Sequence, residues 1–205
     1  IVWLANLIFI GSYAILILNR IQSQKENTMN SEYKKELSTM SGMWGIWDYD
    51  TYKDIDDYEK WENLFCEDED IEKQIAAKTF VPLYVHENGK RAFTVKINGQ
   101  LSEREEKYAF MKSDRYLIKT NGKIVISGIE NINAQIREDT LPILLTAGIY
   151  SVSAYLIAWD NEPGAILENG EVRPDALSDF VVLISSEPDE NYPYRTSVNT
   201  FKEYE

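Results

Sequence analysis

The chain has 205 residues, a length that fits one domain or one domain with a tail. Its hydrophobic fraction of 44%, with five Trp, thirteen Tyr and seven Phe, is enough to build a core, which excludes wholesale disorder. The formal net charge of −13 argues against direct binding of nucleic acid, because that activity needs a basic surface.

The first 28 residues allow two interpretations. Residues 1–18 carry no charge and, as a helix rising about 1.5 Å per residue, would extend about 27 Å, near the thickness of a bilayer core. Arg20 and Lys25 follow, which favours a transmembrane anchor with the remaining chain on the cytoplasmic side. Alternatively, residues 1–28 are an untranslated upstream segment and Met29 is the start. Both interpretations predict cytoplasmic residues 29–205, with a membrane contact only if residues 1–28 are expressed.

Residues 29–205 are predicted to form a single acidic domain that begins with a helical or irregular segment, residues 29–78. A serine at the start of residues 31–37 can accept the free N–H groups of a short helix. Aromatic residues recur at helical spacing in residues 56–65. Residues 70–78 are another candidate for a short helix.

From Thr79 the pattern changes to short β-rich runs separated by turn residues. The runs cover residues 80–86, 91–97, 115–120, 123–127, 141–146, 149–159 and 177–185. Asn88-Gly89 and Asn121-Gly122 are typical of tight hairpin turns, and Ala147-Gly148 provides a further turn.

This spacing of runs and turns predicts an all-β fold. We expect residues 79–185 to form the antiparallel β-sandwich and residues 186–205 to form a C-terminal arm on the surface. The complete prediction is an antiparallel β-sandwich with a short helical, acidic N-terminal segment and a possible N-terminal transmembrane helix.

No catalytic or metal-binding motif stands out. Cys66 is followed by four acids, which disfavour a reactive thiolate, and His86 has no second His or Cys nearby for a zinc site. The acids beginning with Asp48 and Asp50 resemble part of a calcium loop, but Lys53 replaces the glycine that the loop's sharp turn needs. We therefore predict no cofactor, no metal and no enzymatic activity.

The most distinctive segment is residues 48–72, where twelve acids and two bases give a net charge of −10. Aromatic residues lie between the acids, and rings with charges of one sign are typical of a surface that recognises a basic protein. The alternative is an acidic face that only keeps the protein in solution. The predicted partner surface comprises Trp47, Asp48, Tyr49, Asp50, Tyr52, Asp54, Asp56, Asp57, Glu59 and Trp61. Some of these aromatic residues must be buried, and Trp44 is the first candidate for the core.

The layout of residues 115–159 resembles the bacterial competence protein J family of nuclease inhibitors. Asn121-Gly122, Gly148-x-Tyr150 and Trp159 carry the resemblance, as a strand, a tight turn, a strand and a further strand ending at an aromatic residue. The resemblance implies a small β-sandwich of the inhibitor or toxin-immunity kind, and it assigns no inhibitory residue.

Three classes of function remain open from the sequence. The leading interpretation is a non-enzymatic immunity or inhibitor protein that binds a basic toxin or nuclease. The second is a structural or ligand-binding β-sandwich, tethered to a membrane if residues 1–18 form an anchor. A hydrolase that uses paired carboxylates ranks last, because acids are too dense for one pair to stand out.

Overall fold

The computed structural model describes residues 31–201, and the predicted anchor or upstream segment lies outside them. Ten strands are present in the described residues: β1 Ser31–Thr39, β2 Met43–Asp48, β3 Phe80–Tyr84, β4 Gly89–Ile97, β5 Ala109–Lys112, β6 Tyr116–Thr120, β7 Lys123–Gly128, β8 Thr140–Leu144, β9 Gly148–Ile157 and β10 Phe180–Ser185. The α-helices there are α1 Tyr49–Tyr52, α2 Tyr58–Phe65, α3 Asp68–Ala76 and α4 Glu103–Tyr108. No helix within residues 31–201 combines the length and the apolarity needed to cross a membrane.

The strands described here form two sheets. The six-stranded sheet has the order β1-β4-β10-β9-β5, and β6 also pairs with β9, whereas the four-stranded sheet has the order β3-β2-β7-β8. The fold is therefore mostly β, as the sequence predicts. One detail of the prediction is wrong, since β10 runs parallel to β4 while it pairs with β9 in the antiparallel sense. Both neighbours of β10 come from distant parts of the chain, so no local turn determines their direction.

The core lies between the two sheets in a sandwich-like arrangement. Trp44 of the four-stranded sheet is fully buried, as expected, and its ring centroid lies 5.7 Å from that of Phe93 and 5.6 Å from that of Phe180. These two phenylalanines belong to adjacent strands of the six-stranded sheet and stack on each other at 4.6 Å. The Trp44 indole N–H donates to the Leu37 carbonyl at 3.1 Å, so the one polar atom of this aromatic cluster is satisfied.

The N-terminal segment differs from its prediction in two places, because strands β1 and β2 both lie within residues 29–78, which were predicted to be helical or irregular. Residues 31–37 belong to strand β1, which pairs with β4 over its whole length, and do not form a helix. The side chains of β1 alternate between half-buried and exposed from Ser31 to Glu36, a period of two that suits a sheet. The two later helices are confirmed, as α2 and α3 cover most of the predicted ranges.

The two Asn-Gly turns do not close hairpins, contrary to the prediction. Strand β3 pairs with β2, and β4 pairs with β1 and β10, so the turn at Gly89 carries the chain from one sheet to the other. The turn at Gly122 does the same between β6 and β7. Both glycines have positive φ, but Asn88 and Asn121 do not, whereas the tight hairpin turn requires positive φ at both positions.

Residues 195–201 lie against the fold and are called the C-terminal strap below. The Tyr116 hydroxyl donates to the carbonyls of Ser197 and Asn199 at 3.1 and 3.3 Å. The backbone N–H of Tyr84, on edge strand β3, donates to the Thr200 hydroxyl at 2.9 Å, and that hydroxyl donates to the Pro82 carbonyl at 2.9 Å. The strap thus satisfies polar groups of an edge strand that would otherwise invite pairing with another chain.

Candidate acidic and aromatic interaction surface

Three residues of the predicted partner surface are interior residues. Trp47, Asp48 and Tyr52 are at most 2% exposed, so their side chains cannot form part of an exposed contact surface. Trp47 lies on the buried strand β2, where its indole N–H donates to the Ser127 hydroxyl at 3.0 Å. The burial of Trp47 and Asp48 follows from the position of β2 between β3 and β7 in the four-stranded sheet.

The buried carboxylate of Asp48 joins two parts of the fold. It accepts hydrogen bonds from the backbone N–H and the hydroxyl of Thr51, at 3.0 and 2.8 Å, and so caps helix α1. Its other oxygen accepts the backbone N–H of Asn121 at 3.2 Å, in the turn between β6 and β7. Asp48 is thus a structural acid, although it opens the acidic segment.

Tyr52 connects α1 to the start of β3. Its hydroxyl lies 2.7 Å from the Thr79 hydroxyl and donates to the Gln74 side chain at 3.2 Å. Burial raises the pKa of this phenol well above its usual value, so Tyr52 stays neutral. Tyr52 is therefore part of the core on which the acidic residues 48–72 lie.

The remaining residues around α1 reach the surface. The half-buried Tyr49 donates its hydroxyl to the Ala134 carbonyl at 3.1 Å, and the Lys123 ammonium lies 3.4 Å from the centroid of its ring. Asp50 is exposed and lies 3.6 Å from Lys53, whereas no basic side chain of residues 31–201 is paired with the Asp54 carboxylate.

The first turn of α2 brings three further predicted residues together. Asp57 caps the helix by accepting the backbone N–H of Lys60 at 2.8 Å, and Asp56 pairs with the Lys60 ammonium at 2.5 Å. Hydrogen bonding to this ammonium lowers the pKa of Asp56. Glu59 is exposed in the same turn, where the positive end of the helix dipole favours acids.

Beside this turn lies an open groove of about 450 Å³. One wall is the stacked pair of Tyr58 and Trp61, whose ring centroids are 5.8 Å apart. The Trp61 indole N–H donates to the Ile129 carbonyl at 2.9 Å, which fixes the ring, while Tyr58 is 66% exposed. The lining residues are Ile55, Asp56, Asp57, Tyr58, Trp61, Glu130, Ile132, Asn133 and Arg137.

Residues 129–137 form a second wall of this groove, and the sequence did not predict it. Glu130 accepts the backbone N–H of Met40 at 2.8 Å and the Thr39 hydroxyl at 3.0 Å, so its carboxylate holds the turn between β1 and β2. Arg137 adds a cation at the rim. This segment has neither periodicity nor a charge run, so no local signal indicated that it would face α2.

The exposed carboxylates of this region are called the acidic surface below. Its members are Asp50, Asp54, Asp56, Asp57, Glu59, Glu62, Glu67, Asp68 and Glu69. Lys53 and Lys60 pair with Asp50, Asp56 and Asp57. In the described part of the chain no cation forms an ion pair with the other six, so the surface retains a strong negative field.

Within residues 31–201, no group of three or more His, Cys, Asp or Glu side chains is placed to hold a metal ion. Partial desolvation and the carboxylates of Glu67 and Glu62 raise the pKa of the Cys66 thiol, which disfavours a nucleophilic thiolate. His86 packs against Tyr84 with the two rings tilted by 32° and 3.8 Å between their centroids.

Comparison with known proteins identifies similar solved structures only. No protein-family model and no curated protein matches the chain. A protein described as crocagin biosynthetic gene J has a TM-score of 0.51 and 13% identity, covering 78% of this chain and 97% of its own. ComJ from Bacillus subtilis, described as an inhibitor of the DNA-degrading activity of NucA, has a TM-score of 0.46 and 15% identity, covering 78% and 99%. The resemblance to competence protein J predicted from the sequence is thus confirmed among solved structures, and at these identities such a likeness concerns the fold.

Proposed function

We propose that this chain is a non-enzymatic binding protein, of the inhibitor or immunity kind, that binds a basic protein such as a toxin or nuclease. The observation that carries the proposal is the acidic surface beside the aromatic groove, where six exposed carboxylates have no described ion-pair partner. We further propose a cytoplasmic location and no direct contact with nucleic acid.

Charge and rings have different roles in such a contact. Exposed acids accelerate the encounter with a basic protein, and this effect weakens as salt screens the field. An exposed ring contributes more to the lifetime of the complex, because its burial removes apolar area from water. Tyr58 is the exposed ring of the groove, and Trp61 stacks against it. We therefore assign the anchoring role to Tyr58.

The proposed contact set differs from the one predicted from the sequence. It retains Tyr49 and Trp61 as partly exposed rings and adds Tyr58, while Trp47, Asp48 and Tyr52 act only through the shape of the surface. The acids of the contact set are Asp50, Asp54, Asp56, Asp57 and Glu59.

A charge-reversal experiment tests the proposal. The acidic triple variant carries Asp54→Lys and Glu59→Lys in the contact set and Glu69→Lys elsewhere on the acidic surface. None of these three acids caps a helix through its side chain or forms a described ion pair. The control triple variant carries Glu106→Lys, Glu187→Lys and Glu190→Lys, which are exposed acids of other segments with the same change in charge.

Full-length wild type and both triple variants are used to capture proteins from the native host, and a captured basic protein is purified. We expect the acidic triple variant to associate with it at least about tenfold more slowly at low salt, and the control triple variant to behave nearly as wild type. If the purified protein is a nuclease, its inhibition should change in the same order. Equal association rates for all three proteins at every salt concentration would contradict the proposal. They would show that the acidic surface only keeps the protein in solution.

One observation favours the second class of function, a ligand-binding β-sandwich. The groove volume of about 450 Å³ lies in the range of small-molecule sites. Titration of the full chain with a small-molecule library, followed through Trp61 fluorescence and compared with Trp61→Phe, tests this alternative. A saturable change that is absent from Trp61→Phe would support it.

A further inference from the structure

A short hairpin within the connection from β9 to β10 forms a regular, closed structure. The backbone N–H of Arg173 donates to the Ala165 carbonyl and that of Leu167 to the Glu171 carbonyl, both at 2.8 Å. Between these bonds Ile166 and Val172 form an antiparallel bridge. Gly170, with φ of 83°, supplies the left-handed conformation that the turn needs. Residues 165–173 are called the apolar hairpin below.

Ion pairs fix the base of the apolar hairpin to helix α4. The Arg104 guanidinium donates to both carboxylate oxygens of Glu162, each at 2.5 Å, and to the Asp175 carbonyl at 2.9 Å. Arg173 also donates to Glu162, at 3.2 Å. Because Ala165 is fully buried at the same place, the hairpin has a packed and hydrogen-bonded base. Its tip is therefore presented in one orientation.

The tip exposes three large apolar side chains. Ile166 is 51% exposed, Leu167 40% and Val172 53%. Ile166 and Val172 are directly opposite residues flanked by hydrogen bonds, the arrangement in which cross-strand side chains approach most closely. Apolar side chains that cluster on a fixed, exposed hairpin are typical of a contact with another protein.

We propose that the apolar hairpin is a second anchor for the protein partner, inserting Ile166 and Val172 into an apolar pocket with a basic rim. Glu168 and Glu171 are exposed beside the apolar pair, whereas the cations Arg104 and Arg173 at the base are neutralised by Glu162 and Asp175. The tip is thus apolar with negative flanks, which complements a basic rim. A second copy of this chain is a poor occupant, since it carries the same net charge of −13.

This inference rests on the proposed function in one respect, the basic character of the partner. It is tested by placing the photo-crosslinking residue p-benzoylphenylalanine at position 167 of the full chain in the native host. We expect an adduct with a protein whose own sequence is basic. The adduct partner is then purified and its affinity for the uncrosslinked protein is measured.

A serine pair, Ile166→Ser with Val172→Ser, removes the apolar tip without entering the core. Its control is Leu144→Ser with Ile149→Ser, two side chains that are 70% and 39% exposed on other strands. We expect the serine pair to weaken affinity for the adduct partner about tenfold or more, and the control pair to change it less than about twofold.

The outcomes separate the hairpin from the acidic surface. An adduct with a second copy of this chain, no adduct at position 167, or an unchanged affinity of the serine pair would overturn the inference. If the acidic triple variant loses binding while the serine pair retains it, the proposed function stands and the hairpin assignment fails. If only the serine pair loses binding, the hairpin assignment stands and the role of the acidic surface fails.

Discussion

Two acids that are two residues apart have opposite roles. Asp48 is 2% exposed and accepts three hydrogen bonds, whereas Asp50 is exposed and, among residues 31–201, forms an ion pair only with Lys53, at 3.6 Å. A count of charges along the chain gives both the same weight. What distinguishes them is the end of strand β2, which places the first in the interior and the second in the first turn of a helix.

This contrast predicts the effects of two matched substitutions. Asp48→Ala leaves the N–H groups of Thr51 and Asn121 without their acceptor, and we expect it to lower the free energy of unfolding by about 2–3 kcal/mol. Asp50→Ala removes only a surface ion pair and should cost less than about 0.5 kcal/mol. Urea unfolding followed by tryptophan fluorescence measures both, and equal losses would contradict the structural role of Asp48.

Gly45 provides a test of how closely strand β2 is packed. A Cβ atom at this position would lie 2.1 Å from the Phe80 ring. We expect Gly45→Ala to destabilise the protein by about 1–3 kcal/mol, because the ring has to move within a filled core. Gly148→Ala is the control, since its nearest contact would be Tyr150 at an ordinary 3.8 Å. Thermal unfolding should separate the two variants clearly.

The candidate site was predictable only in part, again for reasons that lie in single residues. The acid-rich helix α2 was visible in the sequence, as were Asp56, Asp57 and Glu59 at its start. The burial of Tyr52 was not, because it depends on contacts with Phe65 and Thr79 across the fold. The groove wall at residues 129–137 required the tertiary structure as well.

Among the elements, helix α4 shows how one short segment is held by a buried charge. Its capping box joins Ser102 and Glu105, and the Glu105 carboxylate also accepts the Lys96 ammonium of β4 at 2.5 Å. Lys96 lies 3.6 Å from Glu32 of β1 as well. Although burial opposes ionisation, the bonds from Lys96 and Ser102 lower the pKa of Glu105 below its usual value.

A depressed pKa in the folded state implies a definite dependence on pH. The charged form of Glu105 stabilises the fold above the pKa of the unfolded chain, about 4.3, and this stabilisation is lost as the pH falls through the folded value. We expect Glu105→Gln to cost about 1–3 kcal/mol at neutral pH and much less at about pH 3. Urea unfolding at both pH values measures this, with the exposed Glu106→Gln as control. A cost that does not change with pH would contradict the assignment.

Elements whose pattern is local were predicted well, and elements defined by distant partners were not. The helix Tyr58–Phe65 carries its apolar spacing and its cap within ten residues of sequence. Strand Ser31–Thr39 depends on Gly89–Ile97, and the serine at its start favoured a helix when read alone. The Asn-Gly turns likewise predicted where the chain reverses, while the sheet that each strand joins depends on distant strands.

At the scale of the whole molecule, the net charge of −13 should oppose the compact state. Raising the ionic strength from about 10 to about 150 mM shortens the screening length from about 30 to about 8 Å, so the thermal midpoint of wild type should rise. Each change from acid to lysine adds two charges, so both triple variants have a net charge of −7.

Comparison of the two triple variants then separates local from overall repulsion. The acidic triple variant relieves repulsion where carboxylates are dense, so its midpoint should rise with salt less than that of the control triple variant. Differential scanning calorimetry at the two ionic strengths provides the measurement. If salt raises the thermal midpoints of the two variants equally, charge repulsion within the acidic surface is no greater than in the rest of the molecule.

The position of β10 has a consequence for how the protein is made. This strand, residues 180–185, lies between β4 and β9 in the six-stranded sheet, so the middle of that sheet is synthesised after the other strands described in it. Until it emerges, β4 lacks one neighbour and Phe93 lacks its stacking partner. The nascent chain therefore exposes apolar strands until residues 180–185 emerge, and completion of the sheet depends on contacts between residues far apart in sequence.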